Sequence, residues 1–207
     1  MNSSASAADP RGAFFDERAS RWEEHCYPPE MRTRLRELLP YFGVRPGTAV
    51  LDLGAGTGIL APYLRELLTA EGRLLCLDVS FEMARHAAMK DGYSAGGVLQ
   101  ATAMRLPVRD SSMDTVLCFA AFPHFEDKPA ALKEMFRALR AGGNVVVAHL
   151  LSRAELSRHH GGCSAVSQDT LPDDDGMRGL FREAGFPDPE IIDIPGRYVA
   201  RAVKERT

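Results

Sequence analysis

From residue 48 onward, short runs of consecutive apolar residues alternate with longer stretches in which apolar side chains recur every three or four positions. The short runs at 48–53, 73–78, 97–102, 114–119 and 144–151 read as strands, the last of the Val-rich kind found at sheet centres. Helical spacing predicts helices at about 59–70, from a Ser80 cap to about Lys90, and at about 128–140, with Gly142-Gly143 expected to end the last. Asp173-Asp174-Asp175 opens a further helix ending at Gly185, because carboxylates favour a helix N-terminus. Two final strands, 190–194 and 197–203, are joined around Pro195-Gly196.

Upstream, 14–24 and 30–42 read as amphipathic helices, parted by Tyr27-Pro28-Pro29, whose prolines break a continuous helix. Leu35, Leu38, Leu39 and Phe42 give the second helix one apolar face. The chain thus divides into a flexible tail (1–10), an N-terminal helical cap (11–43) and a main domain (44–207), with a lid-like insertion at 152–171 hinged at Gly161-Gly162. Strand-helix alternation implies an α/β, doubly wound, mostly parallel sheet covered on both faces. Ligands of such sheets sit at the carboxyl ends of the strands.

The sharpest motif is Val50-Leu51-Asp52-Leu53-Gly54-Ala55-Gly56-Thr57-Gly58. Glycines after a buried strand permit a sharp turn and close approach of backbone to ligand. The third glycine of a dinucleotide fingerprint is missing, since that position is Ile59, and no Gly-Lys-Ser/Thr follows. Asp52 stands beside the ligand position, where a carboxylate repels a pyrophosphate and attracts a cation. S-adenosylmethionine, with its ammonium and sulfonium, fits that charge, which disfavours a nicotinamide-dependent oxidoreductase. Asp78 closes the second strand about 20 residues beyond the loop, where a carboxylate accepts hydrogen bonds from ribose hydroxyls; a plain strand-end cap is the alternative.

Residues 48–151 resemble the class I methyltransferase core of the methyltransferase type 11 and ubiquinone/menaquinone C-methyltransferase groups. The resemblance rests on VLDLGAGTGIL, LDVSFEMARHA, LPVRDSSMDTVLC and ALKEMFRALRAGGNVVVAH, in that order. Phe14-Phe15-Asp16-Glu17-Arg18-Ala19 is similar to the N-terminal helix that covers the cofactor in those groups. It implies a seven-stranded Rossmann-like sheet and S-adenosylmethionine as cofactor. It further implies that Asp52 and Gly54 hold the methionine amino group and that Ala55, Gly56 and Gly58 line the loop. Asp78 would bind the ribose, Val79 and Met83 would pack on the adenine, and Thr102, Ala103, Met104 and Cys118 would complete the lining. The groups usually carry an acid where this chain has Thr102. The expected activity is methyl transfer to a small-molecule acceptor, with a non-catalytic cofactor-sensing protein as the rival reading.

The fourth strand runs into Cys118-Phe119-Ala120-Ala121-Phe122-Pro123-His124, an apolar lining without the Asn/Asp-Pro-Pro-Tyr/Phe motif of amino methylation. His124 is the candidate catalytic base, or else a helix cap; no neighbouring carboxylate is evident to orient it. His149 ends the fifth strand and is a weaker candidate. In the insertion, His159-His160-Gly161-Gly162-Cys163, with Asp169 downstream, matches no standard zinc spacing, and no metal is expected.

The remaining composition narrows little. A net charge of -3 gives no global field for nucleic acid, and Arg32, Arg34 and Arg36 read as a solvated helix face rather than a basic patch. Four scattered cysteines form no C-x-x-C pair, and the Ser/Ala-rich start lacks a secretory pattern; both point to the cytoplasm. No stretch reaches the ~18 apolar residues of a membrane span. Oligomeric state is not legible.

Overall fold

A computed structural model describes residues 10–90, 97–161 and 169–206. In chain order the elements are α1 (Pro10–Asp16), a 3-10 turn (Ala19–Arg21), α2 (Trp22–Cys26), α3 (Pro29–Leu38), β1 (Ala49–Leu53), α4 (Ala61–Leu68), β2 (Arg73–Asp78), α5 (Phe81–Ala88) and β3 (Val98–Gln100). There follow β4 (Met113–Phe119), α6 (Lys128–Ala138), β5 (Leu139–His149), α7 (Arg153–Gly161), α8 (Asp174–Ala184), β6 (Glu190–Ile194) and β7 (Arg197–Val203).

The seven strands form one sheet in the order β3-β2-β1-β4-β5-β7-β6. Every pairing from β3 to β5 is parallel, and β7 runs antiparallel to both its neighbours. The order reverses direction between β1 and β4, so their carboxyl ends bound the crevice where such sheets take ligands.

Alternation along the central strands divides the core in two. Leu51 and Leu53, Val116 and Cys118, and Val145 and Val147 face one side, against Leu132 and Met135 of α6 and Met177 and Phe181 of α8. Val50, Leu117 and Val146 face the other, against Leu35 and Leu38 of α3 and Leu60, Leu64 and Leu68 of α4. Strands buried on both faces explain why β1 reads as an unbroken apolar run with one exception, Asp52. Three helices start on the side-chain caps the sequence offers: Ser80 accepts from Met83 N, Asp127 from Ala130 N, and Asp173 from Gly176 N.

Four expectations need correction. The first cap helix is broken into α1, a 3-10 turn and α2. Gly142-Gly143 does not end α6, which stops at Ala138; it lies inside β5, where pairing with β4 slips between Met113–Leu139 and Thr115–Asn144. Gly142 adopts φ +79, and a Cβ on Gly143 would lie 2.9 Å from the Arg140 carbonyl oxygen, so this bulge requires glycine. The start of the 152–171 insertion is the helix α7, while 162–168, including Cys163 and half the expected hinge, lie outside the described residues, as does most of the tail. The arginines of α3 are not merely solvated. Arg34 donates to the carbonyls of Leu150 and Gly196, Arg32 pairs with Glu23 at 3.7 Å, and Arg36 lies over the Tyr63 ring.

Candidate active site

The loop after β1 is shaped by contact rather than by glycine content alone. Gly54 has φ +71, and a Cβ there would sit 2.4 Å from the Ala121 Cβ, so only glycine lets β1 turn against the end of β4. The N–H groups of Gly54 and Ala55 both donate to the Leu77 carbonyl, at 2.7 and 3.1 Å, which ties the loop to the end of β2.

Asp52 is 1% exposed, and its Oδ1 has no hydrogen-bond partner among the described residues. Burial, with the nearby Asp78 charge, pushes its carboxyl up to about 7. A lone buried carboxylate is costly unless a cation or donor completes it. Asp78 accepts from Gly56 N on Oδ2 at 2.8 Å and from Ser80 N on Oδ1 at 2.9 Å. Burial still moves it up to about 6 despite those bonds. A carboxylate has about four acceptor positions, so these two bonds leave room for two hydroxyl donors.

Around the two acids lies a cleft of about 880 Å³ at the carboxyl ends of β1, β2 and β4. Of the residues expected from sequence, Asp52, Gly54, Ala55, Gly56, Asp78, Val79, Met83, Thr102, Ala103, Met104 and His124 line it. Two do not. Cys118 is fully buried under α6, because the strand pleat turns it away from the cleft, and burial pushes its thiol up. Gly58 lies beyond the lining, its N–H closing the turn onto the Ala55 carbonyl at 3.0 Å. His149 is buried at the end of β5 beside the Tyr198 ring, and it lines neither this cleft nor the second cavity described below.

The sequence reading expected the N-terminal cap over the cofactor but named none of its side chains as lining the site. Arg11, Phe15, Trp22 and Tyr27 all line the cleft. Asp16 Oδ1 accepts from Ser80 Oγ at 2.5 Å and from Glu82 N at 2.9 Å, just beyond Asp78. Glu23 accepts from Thr57 Oγ1 of the glycine loop at 2.8 Å and from Lys90. Burial pushes the Glu23 carboxyl up, but the Lys90 and Thr57 hydrogen bonds outweigh it and hold the group below its ordinary range.

His124 ends a 3-10 turn after β4, and its Nδ1 lies 2.7 Å from Asp169 Oδ2. The Asp169 side chain is only 5% exposed and also takes Arg11 Nη1 at 2.8 to 2.9 Å. Arg11 donates in addition to the His124 carbonyl at 2.6 Å. The orienting carboxylate absent from the local sequence is therefore present, contributed 45 residues downstream. Asp169 is engaged with His124 and Arg11, and no metal-holding group of three acidic, His or Cys residues occurs among the described residues. A second cavity of about 1010 Å³ shares Phe15, Trp22 and His124 with the cleft and extends along the cap to His159.

Strand order, glycine loop and paired acids of this kind define a class I S-adenosylmethionine-dependent methyltransferase. Comparison agrees: residues 51–147 match the family model described as a methyltransferase domain. The ubiquinone/menaquinone biosynthesis C-methyltransferase UbiE of Vibrio vulnificus is 28% identical over 185 residues, spanning 76% of this chain and 71% of that protein. The Klebsiella pneumoniae protein of the same name is 27% identical, spanning 76% and 74%. Among solved structures, a putative methyltransferase from Haloferax volcanii, crystallised with its Trm112 activator, superposes with a TM-score of 0.75 at 24% identity, covering 97% of this chain and all of the other. Phosphoethanolamine N-methyltransferase 2 from Haemonchus contortus, bound to S-adenosyl-L-methionine, shares the fold with a TM-score of 0.72 at 17% identity, over 92% of this chain and 57% of its own. These matches support a class I S-adenosylmethionine-dependent methyltransferase, and S-adenosylmethionine is its cofactor. No helix among the described residues is long and apolar enough to cross a membrane.

Proposed function

We propose that this enzyme methylates a small organic acceptor with a hydroxyl that must first lose its proton, and that His124 is the base that takes it. The observation that carries this reading is the 2.7 Å contact between His124 Nδ1 and the buried Asp169 carboxylate. A carboxylate on Nδ1 selects the tautomer with the hydrogen there, which makes Nε2 the basic nitrogen. It also stabilises the imidazolium that forms when a proton is taken.

The residues of the cleft fit the cofactor. Asp52 Oδ1, buried and unpartnered among the described residues, suits an ammonium group. Asp78 retains acceptor positions for the two ribose hydroxyls, and Val79 and Met83 offer apolar cover for a flat base. Thr102 Oγ1 accepts from Met104 N at 3.4 Å, so the neutral side chain braces its own loop where an acid is usual. When bound, S-adenosylmethionine supplies an electrophilic methyl group. The chain's residues hold the acceptor in line, exclude water beneath Phe15 and Trp22, and remove the proton.

The UbiE relatives are carbon methyltransferases by name. Deprotonating a hydroxyl on an aromatic ring makes both its oxygen and the ring carbons nucleophilic, so one base supports oxygen transfer, or carbon transfer in which the methylated carbon then gives up its own proton as the ring regains aromaticity and the oxygen is reprotonated. The test starts with mass spectrometry of a whole-cell extract, small-molecule and macromolecular fractions both, incubated with enzyme and methyl-labelled cofactor. With the acceptor in hand, His124→Ala should lower single-turnover rates by about 10²–10⁴-fold, and Asp169→Asn should lower them less while displacing the pH profile. Unchanged rates in His124→Ala would overturn the base assignment, and labelling confined to macromolecules would overturn the small acceptor.

A further inference from the structure

The second cavity has a chemistry distinct from the cofactor cleft. Its walls are rings: Phe15 stands edge-on to Phe14 at 5.2 Å, to Trp22 at 5.6 Å and to His124 at 5.2 Å. Such a set of perpendicular aromatics forms a slot suited to a flat ring, which packs face to edge against its neighbours. The cleft is lined by the acids Asp52, Asp78 and Glu126 against one arginine, Arg11. The second cavity reverses that balance, with the two arginines Arg18 and Arg21 against a single acid, Glu17, among its described lining residues.

The ion pairs that the guanidiniums of the slot make are weak. Arg18 is anchored on Phe14, over its ring at 3.7 Å and donating to its carbonyl at 2.8 Å, but its acid partner Glu17, at 3.4 Å, has a side chain 78% exposed. Arg21 meets Glu24 at 3.6 Å with both side chains 75% exposed. Exposed pairs of this kind exchange readily for another anion, because water screens them and holding two long side chains costs entropy. The slot also reaches His124, which it shares with the cofactor cleft, so an occupant there lies beside both the base and the methyl-donor compartment.

From this combination we infer that the second cavity is the acceptor site and that the acceptor is a planar aromatic compound carrying both an acidic substituent and an ionisable hydroxyl. The ring fills the slot along Phe14, Phe15 and Trp22. The acid group meets Arg18 and Arg21 at the outer rim, and the hydroxyl is turned inward to His124. The inference rests on the proposed small-molecule activity but is tested without methyl transfer, so the two fail separately.

Three probes share a phenol ring whose para substituent is anionic, absent or cationic: 4-hydroxybenzoate, phenol and tyramine. Each is titrated calorimetrically into the full chain saturated with S-adenosylhomocysteine. The acid should bind at least about fivefold tighter than phenol, the combined worth of two partly exposed charge contacts, and tyramine should bind weakest. Arg18→Gln with Arg21→Gln should abolish the preference for the acid while phenol and S-adenosylhomocysteine bind as before. Should the double variant misfold, Ser20→Glu places an acid on the same wall and should reverse the order towards tyramine. Equal affinities for the three probes, or a preference for the acid that survives both changes, would overturn the assignment. His124→Gln separates the two readings: it should leave the order of the probes intact even if it also leaves turnover intact, in which case the base fails and the site stands.

Discussion

At the scale of single residues, Asp52 concentrates the conflict between folding and binding. Its carboxyl has an ordinary value near 3.8 and is pushed up to about 7 by burial and then by Asp78. Between those values the native state binds more protons than the unfolded chain, so stability falls as pH rises through that window and the penalty is complete by pH 8. Asp52→Asn should therefore stabilise the cofactor-free protein at pH 8 by on the order of 2 kcal/mol, read as a higher melting temperature, and should do nothing comparable at pH 4. The same variant should lose most affinity for S-adenosylmethionine. In the unmutated protein a proton competes with the cofactor's ammonium, so affinity should drop about tenfold on going from pH 7.5 to pH 6; calorimetry at the two pH values reads this directly. Gly54→Ala is the complementary case, with no charge involved. The added methyl meets Ala121 Cβ at 2.4 Å on a backbone of φ +71, so thermal denaturation should show loss of several degrees and cofactor binding should fail. Both positions were legible in sequence because a lone acid in an apolar strand, and glycine straight after it, break a pattern that folding alone would keep.

Among the elements, the cap acts as a strap pinned at two places to the cofactor loops. Asp16 bonds the start of α5, and Glu23 bonds Thr57 and Lys90. Glu23→Gln weakens two of those partners at once. The expected result is faster amide exchange across 10–26 and about fivefold weaker binding of S-adenosylhomocysteine, since the Glu23 side chain is a quarter exposed and water discounts its bonds. Unchanged exchange would show that the cap is held by its aromatic packing alone. This strap was half visible in sequence. The amphipathic spacing announced helices, but the break at residues 17–21 was hidden, because Glu17, Arg18, Ser20 and Arg21 fit a helix by propensity. What divides it is tertiary: Ala19 is buried and Asp16 is held by α5. The β5 bulge was misread for a related reason. A glycine pair after a helix usually marks its end, whereas here Lys204 reaches across to bond the Phe136 and Leu139 carbonyls, and the glycines serve the neighbouring strand.

For the whole molecule, the parallel sheet and the cofactor side of the site were readable because their signals are local in the chain: a strand, a loop and the acid that ends the next strand. The proposed acceptor side was not, because the residues that would form it come from distant segments. Arg11, His124 and Asp169 come together across separations of 113 and 158 residues, and no periodicity announces such a meeting. The division has a thermodynamic consequence. A ligand that completes the cleft stabilises the entire fold by mass action, since the cap, both central strands and α5 all contribute to its walls. At a hundredfold excess over its dissociation constant, S-adenosylhomocysteine should add about 2.7 kcal/mol, which for a domain of this size raises the melting temperature by roughly 5–10 °C. NAD at the same concentration should produce no shift, because its pyrophosphate would be set beside Asp52 and Asp78 while the cleft's arginine, Arg11, is engaged with Asp169. The shift with S-adenosylhomocysteine should shrink as pH falls below 7 and Asp52 takes a proton, and it should vanish in Asp52→Asn. Differential scanning fluorimetry over pH 5.5 to 8.5 measures all of this on one protein. A shift that ignores pH would mean that the ammonium is held by some group other than the buried acid of β1.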